Sequence, residues 1–177
     1  MDALEVQQRV RRILLGNRYL TLAICDQWGP WAVPLAYTIT RDFEFVFYSS
    51  VNSRHGLVFK IKDHVGFAIF DSSLPSDDAD GLQGLGTVSE VPESLVADVA
   101  ANYFLNSFPD PEIRRKWVRS ESDFTGNGPL RFYLIKPKSI FLPTLTEDRI
   151  DSRIEVSLDV AASALSDNCR RDSAWQS

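Results

Sequence analysis

A polar stretch in the first third of the chain carries side chains that could bind an anion. It reads FYSSVNSRHG, residues 47–56, and its candidate ligands are Ser49, Ser50, Ser53, Arg54 and His55. Asn52 or Ser53 could cap a helix that starts here, and a helix N-terminus attracts phosphate through its N–H groups and dipole. The same residues would also suit a capped helix whose polar side chains face water. The local sequence leaves both interpretations open.

A proline interrupts the strand-like segment WAVPLAY, residues 31–37. Because Pro34 cannot donate a hydrogen bond to a strand ladder, it marks an edge strand or a bulge. The backbone groups beside it could pair with the polar edge of a flat heterocycle, or they could face water.

Three glycines open the segment GLQGLGTVSEV, residues 81–91. A dinucleotide-binding fingerprint needs a helix after the glycines, but the TVSEV that follows is typical of a strand, so we exclude that motif. Glycines within a strand mark a bend or a close approach of backbone. Gln83 offers an amide donor and acceptor at this point.

Composition excludes several classes of protein. The 177 residues are 44% hydrophobic and 24% charged, which is ordinary for a soluble domain, and the net charge of −5 argues against nucleic-acid binding. We expect no membrane partner, because no apolar run approaches the length that spans a bilayer. The N-terminus lacks the apolar stretch of a signal peptide, and the two cysteines lie far apart, so we expect a cytoplasmic protein with reduced thiols.

Motifs for metal binding and nucleophilic catalysis are absent from the sequence. His55 and His64 are the two histidines, and neither has cysteine or carboxylate neighbours at metal-ligand spacing. No serine lies in a nucleophile elbow, and no phosphate-binding loop lysine is present. We therefore predict no metal site and assign no catalytic residue.

The hydrophobic pattern predicts a mainly β (α+β) domain. Asp2 caps a first helix, Pro92 opens a later one, and further helices are expected over Arg54–Lys62 and Pro109–Arg119. Evenly spaced strands with few helices between them favour a closed or partly closed antiparallel barrel. The six strands are Leu20–Asp26, Trp31–Thr40, Phe43–Tyr48, His64–Asp71, Gly81–Val91 and Leu130–Leu142.

The chain is expected to divide into a domain of residues 1–143 and a partly ordered extension of residues 144–177. The extension is polar and acidic, with an edge strand over Ile150–Leu158 and a short helix over Ala161–Leu165. Its last ten or so residues are expected to fray. On this pattern we expect the core to fold without the extension.

Four segments in a fixed order give the chain a family resemblance. LTLAICDQWGPWAVPLAY, FEFVFYSSVNSRHG, VGFAIFDS and GLQGLGTVSEV together resemble the FMN-binding split-barrel family related to pyridoxamine 5′-phosphate oxidase, over about residues 5–142. The resemblance implies a six-stranded antiparallel split barrel that forms a homodimer, with FMN at the dimer interface. For the apolar surface of such a dimer, the aromatic residues Trp31, Phe43, Phe45 and Phe47 are candidates.

The resemblance also implies roles for the residues already named. The flavin phosphate would bind the turn that follows the third strand, the isoalloxazine edge would lie along the segment around Pro34, and Gln83 would face the ring. The implied cofactor residues are Pro34, Leu35, Ala36, Tyr48, Ser49, Ser50, Ser53, Arg54, His55 and Gln83. The chain ends CRRDSAWQS and lacks the Arg-Leu-x-Pro motif of the true oxidases, so pyridoxamine phosphate is not assigned as the substrate.

Three functions remain open on the sequence. The first is an FMN-dependent oxidoreductase that acts on an unidentified small molecule. The second is a flavin- or haem-binding module without turnover, since some relatives use haem or a deazaflavin, and a haem ligand here would be His55 or His64. The third is a barrel that has kept the fold and lost the ligand.

Overall fold

Eight strands form one antiparallel sheet in the computed structural model, which describes residues 2–75 and 80–166. The strands are β1 (Tyr19–Asp26), β2 (Gly29–Ala36), β3 (Thr38–Ile39), β4 (Phe45–Ser50), β5 (His64–Phe70), β6 (Gly81–Glu90), β7 (Leu130–Leu145) and β8 (Asp151–Val156). The sheet order is β2-β1-β5-β6-β7-β4-β3, and β8 pairs with the second half of β7. The sheet curls into a half-barrel.

Within the described residues, five α-helices accompany the sheet: α1 (Ala3–Gly16), α2 (Arg54–Phe59), α3 (Val96–Ser107), α4 (Pro111–Trp117) and α5 (Leu158–Ser166). Asp2 caps α1 by accepting the Glu5 N–H at 2.8 Å, as the sequence predicts. Among the described residues, no helix is both long and apolar enough to cross a membrane.

The six expected strands and the split-barrel fold class are confirmed. One of the expected strands is divided into two. The expected strand Trp31–Thr40 ends at Ala36, and the chain then starts the short β3. Tyr37 explains the break, because its side chain is buried and its ring centroid lies 5.4 Å from that of Phe45. Its hydroxyl also donates to the Leu14 carbonyl at 2.9 Å. Anchored there, the chain leaves β1 and pairs with β4 instead.

The aromatic strand β4 is buried on both faces, which corrects one expectation. Phe43, Phe45 and Phe47 are each at most 3% exposed and belong to the core, so they do not form an apolar surface for a partner. Val46 faces the other way and is covered by a second cluster that includes Phe104 of α3. Trp31 remains partly exposed.

A glycine allows the barrel interior to close. Gly84 of β6 lies opposite Phe67 of β5 in the ladder. A Cβ at Gly84 would lie 2.2 Å from the Phe67 ring, and that ring packs on Phe45 at 5.0 Å. The glycine expected to mark a close approach therefore does so, and the group that approaches is a core phenyl ring.

The segment after Pro143 contributes to the main core. Val156 of β8 and Ala161, Ala164 and Leu165 of α5 are buried there, and α5 packs on α1. The Arg11 guanidinium on α1 also donates to the Ala164 carbonyl at 2.9 Å. The expected edge strand and short helix are present, while the division at residue 143 stays a prediction. The chain end that was expected to fray lies outside the described residues.

Candidate functional site

The turn between β4 and α2 is held by serine hydroxyls. Ser53 is the N-cap of α2, since its Oγ accepts the Gly56 N–H at 3.0 Å and donates to the Ser50 carbonyl at 2.8 Å. A Cβ at Gly56 would lie 2.6 Å from that same Ser50 carbonyl. Glycine is therefore required at residue 56 by the turn itself.

His55 lies inside this turn as a neutral group. Its side chain is 5% exposed, and Nε2 lies 2.7 Å from the Ser49 Oγ. Burial lowers the pKa of His55 below the ordinary value of 6.5, because the charged imidazolium loses its hydration. At neutral pH the residue offers a hydrogen bond to Ser49 and no positive charge to a phosphate.

Arg54 is paired with an aspartate from a different element. Its Nε donates to Asp26 Oδ2 at 2.6 Å and its Nη2 to Asp26 Oδ1 at 2.8 Å, and its guanidinium lies 4.6 Å from the Trp31 ring centroid. The hydrogen bonds from Arg54 hold the pKa of Asp26 at about 2, against the opposing effect of burial, and Asp26 raises the pKa of Arg54. No local pattern in the sequence indicated Asp26, which lies 28 residues from Arg54.

Two groups in the turn keep donors for a further ligand. The Ser50 Oγ accepts the Asn52 N–H at 3.2 Å, which leaves its own O–H to donate elsewhere. Asp26 occupies Nε and Nη2 of Arg54, so Nη1 points away from that carboxylate. The turn therefore forms the capped helix of the first interpretation and keeps two donors, while its role as an anion cradle stays a prediction.

A row of residues crosses the outer face of the sheet through the strand register. Pro34 of β2 lies opposite Thr21, Thr21 lies opposite Ala68, and Ala68 lies opposite Gln83. Since paired residues share a face, Pro34 and Gln83 lie on the same side of the sheet. β2 is the last strand on its side of the sheet order, so the edge position predicted from Pro34 is correct.

This outer face is apolar and largely exposed. Its small residues include Ala23 paired with Ala32 and with Gly66, and Gly66 in turn lies opposite Leu85. Leu85 is 59% exposed. Tyr19 and Phe70, at 62% and 57%, lie on the same side by strand alternation.

The other predicted residues of the ring-binding strand point in two directions. Ala36 shares the outer face, where it lies opposite Tyr19. Leu35 points to the opposite side and packs against the core. Tyr48 lies in neither region, because it packs among the aromatic rings under α3, 5.4 Å from Tyr103 and 5.5 Å from Phe124.

A cleft of about 400 Å³ opens beside Gln83, and most of its lining was not expected from the sequence. Pro143 and the β8 residues Asp151, Ser152 and Arg153 complete it. The Arg153 guanidinium lies 5.5 Å from the Phe141 ring, and Phe141 lies opposite Gln83 in the ladder. Asp151, Ser152 and Arg153 were assigned to an extension, and only the pairing of β8 with β7 brings them to Gln83.

The structure therefore gathers the predicted residues into two groups. Ser49, Ser50, Ser53, Arg54 and His55 meet in the β4–α2 turn, and Pro34, Ala36 and Gln83 share the outer face. Strand β2 connects the groups, since Trp31 contacts Arg54 and Pro34 lies three residues further along.

His64 is placed differently from His55. It is the first residue of β5, lies opposite Thr87, and its side chain is 88% exposed. Its Nδ1 lies 2.8 Å from the Asp63 carboxylate, which leaves Nε2 directed at solvent. Within residues 2–75 and 80–166, no three histidine, cysteine or carboxylate side chains cluster as a metal site.

Solved structures share this architecture. A haem-binding protein from Mycobacterium smegmatis superimposes with a TM-score of 0.67 at 15% identity, covering 92% of this chain and 61% of that one. HutZ, the haem storage protein of Vibrio cholerae, superimposes with a TM-score of 0.59 at 16% identity, covering 80% of this chain and 95% of that one. A candidate pyridoxamine 5′-phosphate oxidase from Listeria innocua superimposes with a TM-score of 0.57 at 15% identity, covering 77% of this chain and 97% of that one.

The chain shares a split-barrel fold with these structures. The chain spans about three fifths of the length of the mycobacterial protein. No family model matches the sequence, and no curated protein gives a significant match. Identities this low establish the shared fold and leave the ligand to be argued from the residues themselves.

Proposed function

We propose that this chain binds FMN as a homodimer and uses it as an oxidoreductase on a small molecule. The observation that carries the proposal is the row from Pro34 through Thr21 and Ala68 to Gln83 on the exposed outer face. A flat ring system needs a flat apolar surface with a few polar groups at its edge. The small side chains of this face and the Gln83 amide meet that need.

The phosphate of FMN would be held by the β4–α2 turn. Ser50 and Arg54 retain the donors described above, and a guanidinium forms charge-assisted bonds with phosphate oxygens. FMN would supply the hydride or electron chemistry, while the protein residues bind and orient it and exclude water. A deazaflavin would meet the same outer face, because its ring system has the same shape.

The substrate side is proposed at the cleft beside Gln83. Arg153 is a cation held over Phe141, so the cleft favours a small molecule with an anionic group. Asp151 lines the same cleft, so a positive group on that molecule would also find a partner. This assignment does not require the Arg-Leu-x-Pro motif that the chain lacks.

The absorption spectrum of the purified protein and a flavin titration test the proposal. FMN is expected to bind saturably and to bind more tightly than riboflavin, which has no phosphate. Gln83→Leu is expected to weaken the binding of both flavins. The same substitution at the exposed Gln8 of α1 is the control and should leave both affinities unchanged. Equal binding of FMN and riboflavin would remove the phosphate role from the turn, and absence of any flavin binding would overturn the proposal.

Haem binding is the second candidate, because His64 presents an exposed imidazole whose Nδ1 is bonded to a carboxylate. That arrangement fixes the tautomer and leaves Nε2 for iron. His55 is excluded from this role by burial and by its contact with Ser49. A haem Soret band that His64→Ala abolishes and His55→Ala retains, in protein that binds no flavin, would establish this candidate instead.

A further inference from the structure

We infer that a groove between α3 and α4 binds a small amphiphilic carboxylate, with its apolar chain in the groove and its anionic head on two arginines. The site lies on the helices that cover the second aromatic cluster, and none of its residues belongs to the outer face or to the β4–α2 turn. The inference is therefore independent of the flavin proposal.

The groove has the dimensions of a small-molecule site. Its volume is about 510 Å³, within the usual range for ligand pockets of roughly 300–1,000 Å³. Helix α3 provides one wall, and α4 with the residues after it provides the other. The lining residues are Ala97, Ala100, Ala101, Phe104, Leu105, Arg114, Val118, Arg119 and Glu121.

Apolar side chains along this groove are left open to solvent. Leu105 on one wall and Val118 on the other are each about half exposed, and Phe104 links the lining to the aromatic core. Covering these half-exposed side chains with an aliphatic chain would be favourable. An aliphatic chain of matching length would cover both walls at once.

The rim carries more positive than negative charge. Arg114 is fixed there, because its Nη1 donates to the carbonyls of Phe108 at 3.2 Å and Pro109 at 3.4 Å. Arg119, within the part of the chain that the structure describes, makes no hydrogen bond or ion pair. Glu121 also lines the groove, so two guanidiniums face one carboxylate. A carboxylate head can pair with Arg119 and rest beside Arg114.

The wider charge pattern supports an anionic ligand. Residues 114–119 contain four cations and no acid, in a chain whose net charge is −5. A concave site with two arginines at its rim suits one buried chain and one head group. A membrane surface would instead contact the whole cationic segment, including the exposed Arg115 and Lys116.

Calorimetric titration with sodium decanoate tests the inference on the full chain. We expect saturable one-site binding to the wild type and about a tenfold loss of affinity in Arg119→Gln, because a charge-assisted bond is removed. Arg115→Gln is the matched control, since Arg115 lies on α4 just before Arg119 in the chain, carries the same charge and does not line the groove. It should change affinity less than twofold.

A second pair of variants tests the apolar wall. Ala101→Leu fills the groove from an exposed helical position and should reduce decanoate affinity at least tenfold. Asn106→Leu adds the same side chain at an exposed position of α3 outside the groove, and should leave affinity unchanged. FMN binding is expected to be the same in all four variants. Decanoate titration therefore tests this groove, while FMN titration tests the flavin proposal separately.

Three outcomes would overturn the inference. One is the absence of saturable decanoate binding to the wild type. Another is an equal loss in Arg115→Gln and Arg119→Gln, which would indicate diffuse attraction to the cationic segment. The third is that decanoate shows no site while the protein binds phosphatidylglycerol vesicles, and Ala101→Leu does not change the vesicle binding. That result would assign the surface to membranes.

Discussion

Arg54 forms a two-point ion pair with Asp26, through Nε at 2.6 Å and Nη2 at 2.8 Å, while its guanidinium lies over the Trp31 ring. The pair joins the start of α2 to the end of β1. It also places a carboxylate beside the residue that we assign to the flavin phosphate. The charge that Arg54 offers to an anion is therefore partly neutralised before any ligand binds.

Asp26→Asn is expected to strengthen FMN binding about threefold to tenfold at low salt. The substitution removes a negative charge close to the phosphate, and the amide oxygen can still accept from Arg54. Riboflavin affinity should not change. Fluorescence titration of both flavins measures this, with Asp42→Asn, in an exposed turn, as the control. Weaker FMN binding would mean that Asp26 serves mainly to position Arg54.

The pH dependence of stability should report His55. Because burial lowers its pKa in the folded protein, the unfolded chain binds a proton more readily. The free energy of unfolding should therefore be unaffected by this group above about pH 6.5 and should fall as the pH drops from 6.5 toward the folded pKa. Denaturant unfolding at several pH values between 5 and 7.5 measures this slope. His55→Gln should reduce it, because the substitution removes the buried imidazole.

Gly84→Ala should destabilise the barrel by about 1–3 kcal/mol, since the new methyl group would overlap the Phe67 ring in a packed core. Gly16→Ala is the control, because nothing lies within 4 Å of a Cβ at the end of α1 and alanine favours a helix there. Thermal or urea unfolding of both variants compares them. A Gly84→Ala protein as stable as the wild type would show that Phe67 can move aside.

Leu165→Ala should cost about 2–5 kcal/mol, the range for a buried leucine, because Leu165 of α5 is buried in the main core. Leu145→Ala, at a residue about half exposed, provides the same substitution without a cavity. Equal stability of the two variants would support the sequence expectation that the core stands without residues 144–177. On the packing of α5, we expect removal of that segment to unfold the domain.

The sequence predicted the strands because their hydrophobic runs are bounded by turn residues, and Pro34 indicated the sheet edge. It did not reveal contacts that depend on how separate elements pack. Asp26 meets Arg54 only when the β1–β2 hairpin lies against α2. Arg153 lines the same cleft as Gln83 only through the pairing of β8 with β7. Such contacts join residues far apart in the chain, where local periodicity carries no information.

Strand β4 shows a second limit of sequence reasoning. Its dense aromatic run was expected to contribute to a dimer surface, but residues 45–47 are buried on both faces, by the barrel interior and by α3. A continuous apolar run does not specify what covers each face. Tyr19, Phe70 and Leu85 on the outer face are exposed instead, and we propose that they contact a partner.

That outer face gives the last prediction. We expect the protein to be a dimer of two 20.0 kDa chains, because exposed apolar side chains such as Leu85, among small residues on a flat sheet, are stabilised by burial against a second copy. Leu85→Glu should place a charge at the centre of the face and shift the protein to monomers.

Leu4→Glu is the matched control, since Leu4 is equally exposed, lies on α1 and is outside the outer face. Light scattering at micromolar concentration distinguishes the two masses, and circular dichroism checks that both variants stay folded. If FMN binds between copies, Leu85→Glu should lose FMN together with the dimer, while Leu4→Glu keeps both. A folded Leu85→Glu monomer that binds FMN as tightly as the wild type would place the flavin within one chain and remove the dimer from the proposal.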